Sequence, residues 1–197
     1  MSETGSVKFA CEHISTELPP FAGFNELNAC RRMLLQLRFV GVDENGIGFG
    51  NISVRDAATK CFYITGSATG GLPTLQLRDY ARVTACDFEK NRVRCEGLTV
   101  ASSESLTHAA IYECDPHIRA VIHAHSASLW AKLCRVMGTS AAVEYGTPAM
   151  AGEVQRLFRE TDVREQKIFA MAGHEGGLVA FGWSLDEAFA ALTSCAD

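Results

Sequence analysis

Apolar residues recur at the three- and four-residue spacing of an amphipathic helix in five stretches of the chain. The first stretch starts at residue 25 and is expected to end near Gly41. The other predicted helices start at residue 102 or 103 and run to about 114, or cover residues 126–136, 147–158 and 184 to about 195. Ser184 is expected to cap the last one, with Glu187 in the capping-box position.

Short apolar runs between turn residues predict strands. They cover residues 51–55, 61–64, 83–87, 93–96, 120–124, 167–171 and 178–181, and the third and fourth form a hairpin. Helices and strands follow one another without strict β-α-β alternation, so we expect one α/β layered domain with much of its sheet antiparallel. Residues 1–24 are polar and interrupted by prolines, which predicts an irregular N-terminal arm ahead of a domain that spans residues 25–197.

The composition is that of an ordinary folded protein. A chain of 197 residues with 47% hydrophobic and 21% charged residues can bury a full core. A net charge of −5 does not suit a nucleic-acid partner, no apolar run approaches the length of a membrane span, and the N-terminus lacks the pattern of a secretory signal. The eight cysteines form no C-x-x-C pair and most lie in apolar runs, so we expect free thiols and a cytoplasmic location.

A pair of histidines at a predicted strand end is the first candidate site. His123 and His125 are two residues apart, so their side chains leave the same face of the strand. Two neutral imidazoles side by side are good ligands for Zn²⁺ or a similar divalent ion such as Mn²⁺ or Co²⁺. The alternative is a polar face of the sheet, but the apolar surroundings favour a buried pair that needs a partner.

A zinc site needs a third protein ligand, and His174 is the best candidate. It lies in the glycine-rich segment 173–177 between two predicted strands, where the backbone can approach another element closely. The alternative is a turn histidine that only bonds to backbone. His13, in the arm, and His117, in a predicted turn, are weaker candidates.

Glu104 opens a predicted helix next to Ser102 and Ser103. It is either a first-turn carboxylate favoured by the helix dipole or a general acid/base beside the metal. His108 shares its helix face and is expected to pack. The two serines, with Asn51, Thr65 and Gly66 in turn segments elsewhere, offer hydroxyl and amide groups to an anion. No lysine or arginine belongs to these short turn segments.

Together these segments resemble the class II aldolase/adducin family. The motifs are, in order, residues 50–55 (GNISVR), 64–67 (ITGS), 102–104 (SSE), 123–126 (HAHS) and 173–176 (GHEG). The resemblance implies a single three-layer α/β/α domain with a central, mainly antiparallel sheet. It also implies a homotetramer with active sites at subunit boundaries.

The resemblance further assigns roles to the candidate residues. It makes His123, His125 and His174 the metal ligands, Glu104 the catalytic acid/base, and Asn51, Thr65, Gly66, Ser102 and Ser103 the contacts of a substrate phosphate. The implied function is a divalent-metal-dependent lyase that acts on a small phosphorylated sugar or hydroxy-carbonyl compound through a metal-stabilised enediolate. The alternatives are a dehydratase of a ketose phosphate, similar to methylthioribulose-phosphate dehydratases, and a non-catalytic adducin-like scaffold.

The chain departs from sugar-phosphate aldolases in two places. The stretch between His125 and Tyr145 is short, and Tyr145 is assigned to the Tyr-Gly-Thr-Pro segment that follows. The proton-donor role of an aldolase tyrosine, which reaches into a neighbouring subunit, is therefore not transferred to it. The sequence also stops soon after the last predicted helix, where aldolases have a longer tail. Both differences weaken the expectation of a fuculose-phosphate-type activity.

Overall fold

A computed structural model describes residues 9–195 of the chain. Its strands are β1 (Ala10–Ser15), β2 (Gly41–Val42), β3 (Gly48–Phe49), β4 (Asn51–Arg55), β5 (Phe62–Thr65), β6 (Tyr80–Asp87), β7 (Arg92–Gly97), β8 (Ala120–His125), β9 (Ile168–Ala170) and β10 (Gly177–Gly182). Its helices are α1 (Phe24–Gln36), α2 (Ser105–Cys114), α3 (Ala127–Leu133), α4 (Pro148–Glu160), α5 (Val163–Gln166) and α6 (Leu185–Thr193).

Eight of the strands form one sheet in the order β1-β7-β6-β5-β4-β8-β10-β9. Within that sheet, as far as the structure describes it, only β1 and β7 pair in parallel and every other neighbouring pair is antiparallel. The expectation of a mainly antiparallel sheet is therefore confirmed. Strand β8, which carries the histidine pair, lies between β4 and β10 well inside the sheet.

Helices cover both faces of this sheet, and alternate residues of β8 show the two cores. Val121 packs in one hydrophobic cluster with residues of α2 and α4. Ile122 and Ala124 pack in a second cluster with residues of α1 and α6. Because β8 is buried on both faces, its sequence is continuously apolar up to the histidines. The predicted three-layer α/β/α arrangement is confirmed.

The segment expected to be an irregular arm contains a strand. Residues 10–15 form β1, which pairs with β7 at the sheet edge, and the His13 ring nitrogen Nε2 lies 2.8 Å from the Gly97 carbonyl oxygen. Phe9 is buried in the core next to it. Three of the residues 10–15 are apolar, namely Ala10, Cys11 and Ile14, but they do not alternate along this largely exposed edge strand, so the hydrophobic pattern contains no strand signal. The division into an arm and a domain at residue 25 stays a prediction.

Several element ends differ from the expected ones for local reasons. Helix α1 ends at Gln36 rather than near Gly41, because Arg38 takes a left-handed conformation and the Phe39 N–H donates to the Leu34 carbonyl. The short strands β2 and β3 pair in an antiparallel hairpin and were not among the predicted strands.

The N-terminus of α6 has only half of the predicted capping box. The Ser184 hydroxyl accepts from the Glu187 N–H at 3.1 Å, as expected. The Glu187 carboxylate, however, accepts from the Trp183 N–H at 2.6 Å, one residue before the cap, and also pairs with Lys167. No helix among residues 9–195 is long and apolar enough to cross a membrane.

Candidate metal centre and cavity

The carboxyl end of β8 holds His123 and His125 on one face of the sheet. His123 pairs with Asn51 of β4 on one side and with Val179 of β10 on the other, whereas His125 pairs with Gly177. The two Nε2 atoms lie 3.3 Å apart. The strand runs one residue further than predicted, and this extension fixes His125 in the sheet.

His174 joins this pair from the turn between β9 and β10. Its Nε2 atom lies 3.1 Å from that of His125, and the three ligand nitrogens of the cluster all lie within 4.8 Å of one another. Two nitrogens bound to one tetrahedral Zn²⁺ at ~2.05 Å are ~3.3 Å apart, so the spacing fits a shared ion. Within residues 9–195, no other group of three His, Cys, Asp or Glu side chains reaches such a spacing.

Glycines let the turn bring His174 to the strand. A Cβ atom on Gly177 would lie 2.4 Å from His174 Cδ2, and one on Gly173 would lie 2.2 Å from the Val143 carbonyl oxygen. Gly176 has a φ of 76°, a left-handed conformation that favours glycine. The close backbone approach expected from the sequence is therefore present, and a side chain at these positions would displace the histidine or its support.

Burial keeps the strand histidines neutral. Desolvation lowers the pKa of His125 to about 4 and lowers the pKa of His123 well below its ordinary value; the neighbouring imidazoles contribute to the His123 shift. His123 Nδ1 lies 3.1 Å from the Leu178 carbonyl oxygen and donates to it, which leaves the Nε2 lone pair for a ligand bond. Neutral imidazoles with oriented lone pairs are suited to a divalent cation.

Glu104 lies at the N-terminus of α2 and lines the same cavity as the histidines. Its side chain is almost fully buried, at 2% exposure, and its Oε2 atom accepts a hydrogen bond from the Thr107 hydroxyl at 2.7 Å. A carboxylate is rarely buried this deeply unless it is paired. The site therefore combines a metal-binding cluster with a buried carboxylate.

His108 lies one turn further along α2 and packs in the core, as expected. Its Nδ1 atom is 2.7 Å from the Ser53 hydroxyl, which in turn is 2.8 Å from the Tyr112 hydroxyl. Burial lowers the pKa of His108 to about 3, so it is neutral. The three side chains form a buried polar network between α2 and β4.

Four of the five candidate anion contacts line the cavity: Asn51, Gly66, Ser102 and Ser103. An isolated bridge between Gly66 and Ala101 brings the two turn segments together. The fifth, Thr65, lies beneath the surface: it is buried, and its hydroxyl accepts from the Ile52 N–H at 3.2 Å. Its position supports the loop that follows it, and the structure does not place it on the cavity wall.

The sequence interpretation missed other residues of the cavity. Tyr145, to which the sequence assigned no role in the site, lines the cavity with its ring centroid 4.2 Å from that of His174. The sequence does contain one indication of this position: Tyr145 lies two residues before the N-cap of α4 at Thr147, and a helix start fixes the residues just ahead of it. The segment Ala68–Gly70, which follows the 64–67 motif, also lines the wall, and only the fold shows this.

The cavity has a volume of about 430 Å³ and an unusual charge distribution. Among residues 9–195, its lining includes the carboxylates Asp43, Glu104 and Glu175 but no lysine or arginine. The sequence had indicated that an anion here would depend on hydroxyl and amide groups, and the lining agrees with that indication. Attraction of an anion must come from the metal, from peptide dipoles or from charges behind the wall.

Known structures share this fold at low sequence identity. An L-fuculose 1-phosphate aldolase has 21% identity and a TM-score of 0.68, with 92% of this chain and 86% of that chain covered. YgbL from Klebsiella pneumoniae, a putative aldolase/epimerase/decarboxylase, has 19% identity and a TM-score of 0.64 over 86% and 83% of the two chains. The L-fuculose-1-phosphate aldolase from Thermus thermophilus has 20% identity and a TM-score of 0.63 over 87% and 88%.

A sequence comparison with curated proteins finds no significant match. The family model for the class II aldolase and adducin N-terminal domain, in contrast, matches residues 27–196. That range includes every candidate site residue and nearly the whole sheet. The chain therefore belongs to the class II aldolase and adducin N-terminal domain family.

Proposed function

We propose that this protein is a divalent-metal-dependent lyase that acts on a small phosphorylated sugar or a related hydroxy-carbonyl compound, through an enediolate. The observation that carries the proposal is the convergence of His123, His125 and His174, with ligand nitrogens 3.1 and 3.3 Å apart although His174 is distant from the other two in the chain. Bringing three imidazoles this close together inside a protein is costly unless they share a cation.

The three histidines would hold the ion, which we propose to be Zn²⁺, Mn²⁺ or Co²⁺. When bound, such an ion supplies a Lewis acid for the carbonyl and hydroxyl oxygens of the substrate. Glu104, buried at the cavity wall, would take up or deliver the proton at the reacting carbon. Its contact with the Thr107 hydroxyl holds the carboxylate in place for that transfer.

The remaining candidate residues would bind the substrate. Asn51, Gly66, Ser102 and Ser103 present amide and hydroxyl groups to the cavity, where they would receive a phosphate. Thr65, with its hydroxyl used inside the protein, would support this loop rather than touch the phosphate. Tyr145 adds a phenol side chain at the His174 end of the cavity and is a candidate second proton donor.

A dehydratase of a ketose phosphate is the second candidate. The observation that favours it is the pair of serines directly ahead of the buried glutamate at the cavity wall, an arrangement that also resembles the methylthioribulose-phosphate dehydratases. A non-catalytic adducin-like scaffold is less consistent with the site, because it would not need three histidines and a buried carboxylate in one cavity.

The first experiment measures bound metal. Purified protein is expected to contain close to one equivalent of zinc, manganese or cobalt, and metal added to chelator-treated protein should raise its melting temperature. The variants His123→Ala and His174→Ala should lose both effects, whereas His117→Ala, in an exposed turn, should retain them. Absence of bound metal, together with an unchanged melting temperature on metal addition, would contradict the proposal.

The second experiment identifies the reaction. The metal-loaded protein is incubated with a panel of ketose phosphates, and aldehyde release is compared with loss of water. Aldehyde release indicates an aldolase, water loss indicates a dehydratase, and a metal-loaded protein that does neither supports the scaffold. We further propose a homotetramer, checked by light scattering, and a reducing, cytoplasmic location, with which the eight free cysteines agree.

A further inference from the structure

Arg31 of α1 is a buried cation directly behind the cavity wall. Only 3% of the residue is exposed. Its guanidinium Nη2 atom donates to the carbonyl oxygens of Thr69 at 2.9 Å and Gly70 at 2.7 Å, and its Nη1 atom donates to that of Leu72. A buried guanidinium requires such extensive hydrogen bonding, because an unpaired one would be very costly.

The carbonyls that Arg31 holds belong to the loop that forms one wall of the cavity. Gly66, Ser67, Ala68, Thr69 and Gly70 all line the cavity. On its other side the loop is closely packed: a Cβ atom on Gly70 would lie 2.3 Å from the Gly41 carbonyl oxygen. The loop is thus fixed between α1 and the hairpin of β2 and β3, and Arg31 determines which way its peptide groups point.

The orientation of these peptides has an electrostatic consequence. In a trans peptide, the carbonyl and the N–H point in opposite directions. Since the Thr69 carbonyl faces Arg31, the Gly70 N–H is directed away from α1. The Gly70 nitrogen lies 3.5 Å from where a Cβ on Gly48 would sit, and Gly48 is itself a cavity residue. The positive end of this peptide dipole therefore points away from α1, toward β3, whose residues Gly48 and Phe49 line the cavity, and the guanidinium charge strengthens it.

A positive charge behind this wall would offset the negative charge of the cavity lining. Within the part of the chain that the structure describes, this lining carries three carboxylates and no lysine or arginine, although the proposed substrate is an anion. Burial lowers the pKa of Arg31, but a guanidinium stays protonated in proteins. Its charge is little screened at this depth, because the solvent is excluded.

We propose that Arg31 is a positioning residue for the anionic group of the substrate: it orients the peptides of the loop Gly66–Gly70 toward that group and supplies the positive charge that the cavity lining lacks. The inference rests on the proposed function, since it takes the substrate to be phosphorylated. It extends that function by assigning phosphate recognition to a residue that never touches the phosphate.

The test compares two metal-binding probes that differ by a phosphate, phosphoglycolohydroxamate and acetohydroxamate. Both are titrated into the zinc-loaded wild-type protein and into Arg31→Met, Arg31→Lys and the control Arg32→Met, whose side chain is exposed on the same helix. The readout in each protein is the dissociation constant of acetohydroxamate divided by that of phosphoglycolohydroxamate. This ratio isolates the contribution of the phosphate.

In Arg31→Met the ratio should fall at least ~10-fold, equivalent to about 1.4 kcal/mol, while acetohydroxamate affinity changes less than about twofold. Arg31→Lys, which keeps the charge but loses the planar fork, should lie between Arg31→Met and wild type. Arg32→Met should behave as wild type. If Arg31→Met does not fold, Arg31→Lys serves as the test variant, and its ratio should still be about threefold lower than that of the wild type. An unchanged ratio at position 31, or an equal fall in Arg32→Met, would overturn the proposal.

A separate measurement tests the role of Arg31 independently of the proposed lyase activity. Inorganic phosphate is titrated into metal-free wild-type protein and into the Arg31 variants, with phosphorus NMR as the readout. Phosphate binding that is weakened in Arg31→Met supports the role of Arg31 even if no metal is ever found. Phosphate binding that is absent in wild type, or equal in both proteins, contradicts it even if the lyase is real.

Discussion

Lowering the pH from about 7.5 to about 5.5 should weaken metal binding by the histidine cluster only slightly. An imidazole binds metal in its neutral form, so protons compete with the ion. Two exposed histidines with ordinary pKa values near ~6.5 would each be about 90% protonated at the lower pH and would together reduce the affinity by roughly 100-fold. Burial lowers the pKa of His125 to about 4 and that of His123 well below its ordinary value. At the lower pH these two residues should cost less than about a factor of two.

The assay is competition for zinc with a chromogenic chelator whose own pH dependence has been calibrated, at constant ionic strength. The total change in the dissociation constant should stay below about tenfold, a limit that leaves room for the third ligand. Circular dichroism of the metal-free protein serves as the control that the fold is intact at both pH values. A loss of affinity of ~100-fold or more in a folded protein would refute the reasoning that burial keeps these imidazoles neutral.

The same pKa shifts predict how the metal-free protein responds to acid. Below pH ~6.5 the unfolded chain takes up a proton at each of these histidines, whereas the folded chain does not until the pH approaches the lowered value. The unfolded state therefore binds more protons, and the free energy of unfolding falls as the pH is lowered. From the pKa of about 4, His125 alone should account for about 1 kcal/mol at pH ~5.5 and about 3 kcal/mol below pH ~4. Urea unfolding of the metal-free protein across this range would measure the loss, and a flat profile would contradict it.

Three substitutions give further expectations. Glu104→Gln should keep the full metal content and lower turnover by ~10²–10⁴-fold, because an amide cannot transfer the proton; unaltered turnover on the substrate found in the panel would remove the role assigned to Glu104. Gly177→Ala should weaken zinc binding by at least ~10-fold in the chelator assay, because the new Cβ would lie 2.4 Å from His174 Cδ2 and must displace the ring; wild-type affinity would show that the ring can yield. Gly152 lies in α4, and a new Cβ there would have no atom within 4 Å. Gly152→Ala should therefore raise the free energy of unfolding by about 1 kcal/mol and leave zinc affinity unchanged. A destabilised variant would contradict the expectation that alanine fits this helix position without strain.

Much of the fold follows from local patterns. The strand β4 is predicted to the residue, because its apolar residues Ile52 and Val54 alternate with polar ones between two turns. The strand β8 is predicted nearly so, because it is a continuous apolar run up to the histidines. The edge strand β1 escapes prediction for the opposite reason: it is largely exposed and therefore has no hydrophobic pattern.

The candidate site could be predicted where chemistry depends on short spacing. His123 and His125 share one face because side chains alternate along a strand, and this holds in any fold that makes a strand there. The glycines around His174 indicated a close approach, and the structure supplies it.

The remainder of the site was decided by the tertiary structure. Thr65 matched a motif, yet its hydroxyl faces inward to the Ile52 N–H, whereas Tyr145, which matched none, lines the cavity. Arg31 had no distinguishing pattern at all, because a lysine or arginine on a helix is usually an exposed residue.

The sequence by itself determined most of the elements and the residue types able to bind a metal, since these depend on residues a few positions apart along the chain. The three-layer arrangement was expected only from the resemblance to a family. Only the tertiary structure decided which loop lies against which helix, because that depends on packing between segments far apart in sequence. Arg31 reaches carbonyls 38, 39 and 41 residues away, and no local pattern records such a contact.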